Sequence, residues 1–163
     1  MSTATSGMIY IADGAASGDW RNLSHSHCYY DNIGTGTTYT TPVAYTLINP
    51  STTADSAPHD FSHNSAGRLT YTGTDTIDVT VLASITVKHS SASLVDVLFQ
   101  LYKDGSGVTG AQHATAALSG NYTHVSLISH FSMATNSYVE IYGKTASGNI
   151  VIHALSLTVI GNP

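Results

Sequence analysis

Charge is what this chain has least of. Only 9% of its 163 residues are Asp, Glu, Lys or Arg, against about 25% in an average domain. The five cations, Arg21, Arg68, Lys88, Lys103 and Lys144, stand singly in a chain of formal net charge −5. Gripping a phosphate backbone takes clustered cations, so no nucleic-acid partner is expected. No apolar run reaches the roughly 18 residues of a membrane-spanning helix, so no membrane partner is expected either. Cys28 is the only cysteine, which excludes an intrachain disulfide. Helix formers are scarce too, and Glu140 is the only glutamate. A length of 163 residues is nonetheless enough for one domain with a real core. The opening Met1–Gly7 has no cationic segment followed by an apolar one, so it reads as a short polar arm and not as a secretory signal.

In place of charge the chain carries Thr, Ser, Gly, Ala, Tyr and Val, residues of pleated surfaces and turns. Period-two alternation is plain from Thr76 onward. Ile77, Val79, Val81, Ala83, Ile85 and Val87 share one face of a first strand. Val95, Val97, Phe99 and Leu101 share one face of a second, which ends at the turn signal Asp104-Gly105. Val125, Leu127, Phe131 and Met133 mark a third, and Val139 and Ile141 a fourth. In the last strand, Ile150–Ile160, the inward set reads as Val151, Leu155, Leu157 and Val159. The expected core combines Ile77, Val79, Val81, Ile85, Val97, Phe99, Leu101, Val125, Leu127, Phe131, Val139, Ile141, Leu155 and Leu157. Segment 49–64, rich in small polar residues and holding two prolines, reads as a long loop on an outer edge. No fixed-period repeat appears, so a sandwich or barrel is favoured over a propeller.

The opposite faces of these strands are also apolar or aromatic. Leu98 and Tyr102, Ile128 and His130, Tyr138 and Tyr142, and Ile150 and Ile152 fall where a water-facing sheet would carry charge. Two covered faces call for two layers. The second layer is either the first third of the chain or another subunit, and the eight residues are assigned to a subunit interface.

Chemistry-bearing patterns are sparse. No Gly-x-Ser-x-Gly elbow or phosphate-binding glycine loop is present, and one glutamate does not make a carboxylate pair, so no catalytic residue is assigned. Among nine histidines, His25 and His27 share a strand face at metal-ligand spacing. Cys28 would point away from them, so their expected role is structural. His59 and His63 sit in the polar segment near Asp60. No metal or cofactor is expected.

One order of motifs stands out: Gly67-Arg68-Leu69-Thr70-Tyr71-Thr72-Gly73, then Phe99-Gln100-Leu101-Tyr102-Lys103-Asp104-Gly105, then Gly120-Asn121-Tyr122-Thr123-His124-Val125-Ser126-Leu127, then Ser137-Tyr138-Val139-Glu140-Ile141-Tyr142. It resembles phage virion proteins with a tumour necrosis factor-like, or complement globular-head-like, jelly roll. The resemblance spans about residues 67–160. It implies an all-β, antiparallel β-sandwich jelly roll over residues 20–163, preceded by an arm over 1–19. It implies a homotrimer built through one sheet, with no enzymatic activity. Its expected role is capsid decoration, or cement, bound to the major capsid protein on the virion surface. Met8, Ile9, Tyr10, Ile11, Asp19 and Trp20 are the expected shell contacts. The alternative is a receptor-binding knob of a tail fibre or head spike that takes a cell-surface glycan.

Overall fold

A computed structural model describes residues 8–12, 18–40, 42–54 and 58–162. Every regular element among them is a strand. In chain order these are β1 (Met8–Ala12), β2 (Gly18–Asn22), β3 (His25–Asp31), β4 (Thr37–Tyr39), β5 (Thr46–Leu47), β6 (Thr53–Ala54) and β7 (Phe61–Asn64). There follow β8 (Arg68–Tyr71), β9 (Ile77–His89), β10 (Val95–Lys103), β11 (Ser106–Ala117), β12 (Thr123–Met133), β13 (Tyr138–Thr145) and β14 (Ile150–Asn162).

Two six-stranded antiparallel sheets pack face to face. One runs β11-β10-β13-β8-β7, with β5 also on β13; the other runs β12-β9-β14-β3-β6, with β4 also on β14. From β8 to β14 the chain changes sheet at every connection except the β10–β11 hairpin. Consecutive strands therefore face each other across the core, which gives each the one-sided apolar pattern read from the sequence.

The core lies between the sheets. Val79, Val81 and Ile85 of β9, Val97, Phe99 and Leu101 of β10, Val125 and Leu127 of β12, Val139 and Ile141 of β13, and Leu155 and Leu157 of β14 are all buried, as expected. Ile77 and Phe131 are only partly buried and pack against its margin. Each fully buried large apolar side chain contributes about 1.5–3 kcal/mol.

The β10–β11 hairpin shows how local sequence sets register. Lys103 pairs with Ser106 across a two-residue turn. Asp104 and Gly105 take φ of 51° and 76°, the left-handed conformations such a turn needs and Asp-Gly tolerates. Asp104 also ties the turn to β13: its Oδ1 accepts the Tyr138 N–H at 2.8 Å and its Oδ2 accepts the Ser137 hydroxyl at 3.1 Å.

Three expectations need correction. Segment 49–64 is not all loop: Thr53–Ala54 pairs with β3, and Phe61–Asn64 pairs with β8. Both form sheet edges, so the edge placement holds while the absence of structure does not. Strand β11 had no counterpart in the sequence reading. It is long but almost wholly exposed, with only Ala111 and Ala117 buried, so it carries little apolar alternation. In β14 the inward set begins with Ile150 and Ile152, not Val151, because a bulge between Ile152 and Ala154 adds one residue opposite β9. One extra residue reverses which face each side chain takes.

Candidate interaction face

The outer face of the β12-β9-β14-β3 sheet forms a regular array, set by the cross-strand register. Its rows run His124, Thr86, Ala154, Asp31; then Ser126, Ser84, Ser156, Tyr29; then Ile128, Leu82, Thr158, His27; then His130, Thr80, Ile160, His25. A fifth row holds Ser132 and Asp78. No lysine or arginine stands in any of them. The two carboxylates occupy the first and last rows, and Asp78 accepts the Ser132 hydroxyl.

The middle row is apolar and open at its β12–β9 end. Ile128 is 66% exposed and Leu82, its cross-strand neighbour, 39%. Between them and Ser84, Ser126, Ser156 and Thr158 lies a shallow depression of about 390 Å³. The surrounding polar groups bond one another: His27 Nε2 lies 3.0 Å from Ser156 Oγ, and His124 Nδ1 lies 3.0 Å from Thr86 Oγ1. The His27 and Tyr29 rings stack 5.7 Å apart. A surface with exposed Ile and Leu, hydroxyls and no fixed cation has little to hold water, and it can meet a like surface without charge repulsion.

The outer face of the other sheet differs. Tyr102 and Tyr142 stack with centroids 3.8 Å apart, and Tyr45 leans on Tyr102 at 6.0 Å. Lys144 Nζ sits 4.4 Å from the Tyr45 ring, and the Arg68 guanidinium 3.9 Å from the Tyr138 ring. Beneath them Glu140, only 2% exposed, accepts a hydrogen bond from Arg68 Nε at 2.8 Å. Burial, then the negative charge of Glu140, push the Tyr142 phenol above its ordinary range, so it stays neutral. This face is capped by the chain's own side chains.

The eight expected interface residues therefore do not form one patch. Ile128 and His130 lie on the open face. Leu98, Tyr102, Tyr138 and Tyr142 lie on the opposite side of the sandwich. Ile150 and Ile152 are 0% exposed and belong to the core. The bulge explains those two, and the assignment of strands to different sheets explains the rest. The sequence reading missed Leu82, Thr158 and Tyr29. Leu82 carried a signal, as the one apolar break in the polar face of its strand.

The expected shell contacts fall on a hairpin. Strands β1 and β2 pair from Met8↔Asn22 to Ala12↔Gly18, with Ile9 opposite Arg21, Tyr10 opposite Trp20 and Ile11 opposite Asp19. This pairing crosses the boundary expected between residues 19 and 20. Met1–Gly7 and Asp13–Ser17 of the arm lie outside the described residues.

The remaining histidines are built into the frame. Buried His89 donates from Nε2 to the Ser147 carbonyl at 2.6 Å and accepts the Ser91 N–H at Nδ1. His153 donates from Nδ1 to the Ile33 carbonyl at 2.9 Å, which also takes the Tyr122 hydroxyl at 2.7 Å. His63 Nε2 lies 2.8 Å from Thr52 Oγ1, and burial lowers its pKa. His25 and His59 exchange backbone hydrogen bonds, and His59 Nδ1 sits 3.0 Å from Asp60. Cys28 turns into the core, and burial pushes its thiol up to about 12 despite a hydrogen bond with Thr52. Among the described residues no three His, Cys, Asp or Glu side chains converge as a metal site would require.

No protein-family model and no curated protein sequence matches the chain significantly. Solved structures do. The vertex protein P5 of PRD1 aligns with a TM-score of 0.61 at 12% identity, over 100% of this chain and 86% of that one. Eiger TNF from S. frugiperda gives 0.58 at 11% identity, over 88% and 94% of the two chains. Murine APRIL, in a crystal structure at pH 5.0, gives 0.51 at 10% identity, over 85% and 99%. The fold is a tumour necrosis factor-like jelly roll. In this jelly roll the candidate face is the outer surface of one whole sheet, a platform and not a cleft. At these identities the likeness is one of architecture.

Proposed function

We propose that this jelly roll is a structural virion protein, a homotrimer that decorates the capsid surface and stabilises the shell. The observation that carries the reading is the open face around Ile128 and Leu82, four strands wide, with no lysine or arginine in its five rows. A second and a third copy of the same chain are its occupants. A threefold assembly brings like against like, and only a face without concentrated charge does so without repulsion. The threefold count follows the sequence resemblance, and the fold it implied supports it. The likeness to the PRD1 vertex protein, over the full chain, supports a place in a virion.

In this reading the β1–β2 hairpin, with Met8, Ile9, Tyr10, Ile11, Asp19 and Trp20, meets the major capsid protein. A protein that binds the assembled shell and not its free subunits stabilises the shell by mass action. The described residues present a flat platform, which suits binding better than catalysis, so the protein is read as no enzyme. The test is its copy number in purified particles relative to the major capsid protein. A ratio near one, or a simple fraction fitting trimers spread over the shell, supports decoration.

A second reading is a vertex spike or tail knob that binds a cell-surface glycan. The observation that favours it is that the matched virion structure is a vertex protein. A few dozen copies per particle, together with binding to host cells, would establish it in place of decoration.

A further inference from the structure

The open face has one kind of group whose charge can change near neutral pH. Four histidines stand on it: His124 and His130 on the β12 side, His25 and His27 on the β3 side. His124 and His130 flank Ile128 along β12, and His25 and His27 stand across the array on β3. We propose that these histidines make the self-association of this chain acid-labile: neutral imidazoles let copies pack face to face, and their protonation drives the copies apart. The inference rests on the self-association proposed above and adds its regulation.

The argument is one of charge balance within the array. With the imidazoles neutral, the only charges in the five rows are Asp31 and Asp78, at opposite ends. Full protonation adds four positive charges against those two. The flanking elements do little to offset them. Lys88, beyond the His124 row on β9, is a cation already committed to the Tyr122 ring at 3.8 Å. His113 of β11 lines a neighbouring depression with Ser126 and Ile128. Next to His25, Asp60 faces His59 at 3.0 Å and accepts the Ser24 hydroxyl at 2.8 Å. Among the described side chains β14 contributes Ala154, Ser156, Thr158 and Ile160 to the array, and β6 brings Thr53 and Ala54 alongside β3. Excess positive charge on a face that meets its own copy is repelled and is costly to desolvate.

The test uses the full chain in sedimentation velocity at about pH 7.5 and about pH 5.5, the span over which imidazole gains its proton. Near-ultraviolet circular dichroism at both pH values reports the fold. The triple variant His27→Asn, His124→Asn, His130→Gln, made in a chain that also carries His25→Asn, is run alongside. Expected is a trimer at the higher pH whose apparent Kd rises about tenfold or more at the lower, with an unchanged dichroism spectrum. The triple variant is expected to hold its Kd within about twofold. A trimer equally tight at both pH values overturns the acid switch and leaves the trimer standing. A monomer at both pH values overturns the self-association, and the switch with it. Acid lability retained in the triple variant, or lost with the dichroism signal, assigns the effect to another group or to unfolding and overturns the proposal.

Discussion

The two outer faces of the sandwich look alike in sequence and unlike in space. Both interrupt a polar pattern with apolar or aromatic residues: Leu98, Tyr102, Tyr138 and Tyr142 on one, Leu82, Ile128 and Ile160 on the other. On the first, Tyr45, Arg68 and Lys144 reach over the tyrosines, and Arg68 also pairs with the buried Glu140 beneath. On the second, Ile128 stays 66% exposed among hydroxyls and imidazoles. An apolar outer face thus has two distinct uses here. It seats the chain's own capping side chains, or it waits for another surface. What tells them apart is whether a long cationic or aromatic side chain from the same chain arrives to cover it.

That contrast is broken most sharply by Ile128→Asp. One carboxylate in the middle row of the open face is expected to weaken self-association by about a hundredfold or more, because each buried copy meets its mates. The monomer's urea stability should move by less than about 0.5 kcal/mol, since the site is exposed. Sedimentation velocity and a urea titration read the two quantities. If association persists, the open face is not where the copies meet.

The Ile128→Asp background then serves for the capped face, because unfolding is no longer mixed with dissociation. Arg68→Ala leaves the Glu140 carboxylate buried without its ion partner. A loss of about 2–4 kcal/mol in urea unfolding is expected, and Arg68→Lys should recover only part of it. An effect below about 0.5 kcal/mol would mean that the cap is decoration on a sheet stable without it.

Tyr102→Ala removes the stack on Tyr142 and the surface under Tyr45. The expected cost is about 1–2 kcal/mol, read from the same urea curves. Leu82→Ser, its counterpart on the open face, should cost the monomer far less. Equal costs would erase the distinction between a capped face and a bare one.

The smallest expected effect is at the edge of the capped sheet. Burial opposes ionisation of Asp104, but the Tyr138 amide, Lys103 and the Ser137 hydroxyl outweigh it and lower its pKa. A depressed folded-state pKa stabilises above the unfolded value, near pH ~3.9, and that stability is lost as the pH falls through the lower folded value. Asp104 is partly exposed, so the contribution is at most about 1 kcal/mol. Asp104→Asn keeps the turn and an acceptor for Tyr138. It should flatten the pH dependence of unfolding below about pH 4, measured by thermal melts. An unchanged slope would place the acid sensitivity of folding elsewhere.

Much of the architecture was legible from alternation alone. Val79, Val81 and Ile85, Phe99 and Leu101, or Val139 and Ile141 are inward because period two and burial on one side dictate it. The Asp104-Gly105 turn was legible for the same local reason. The candidate face was only half legible. Alternation places Ile128 and His130 opposite the core, but it does not say which sheet a strand joins, so Tyr102 and Ile128 looked like neighbours and lie on opposite sides. Arg68 and Glu140 are 72 residues apart, and nothing local links them. Strand β11 was hidden because an edge strand with mostly small, exposed side chains needs no apolar rhythm. The bulge in β14 was hidden because neither glycine nor proline marks it.

That bulge sets how the last strand tolerates change in length. β14 is written in two reading frames, even-numbered residues inward through Ile152 and odd-numbered ones from Leu155, with His153 as the shift between them. A chain lacking residue 153 would join the two frames into one, with Ile150, Ile152, Leu155, Leu157 and Val159 alternating without interruption opposite β9. Removing one residue elsewhere, between Leu155 and Val159, would instead turn half of one frame out of the core. In a strand with partners on both sides, parity is inherited by the rows it shares with β9 and β3.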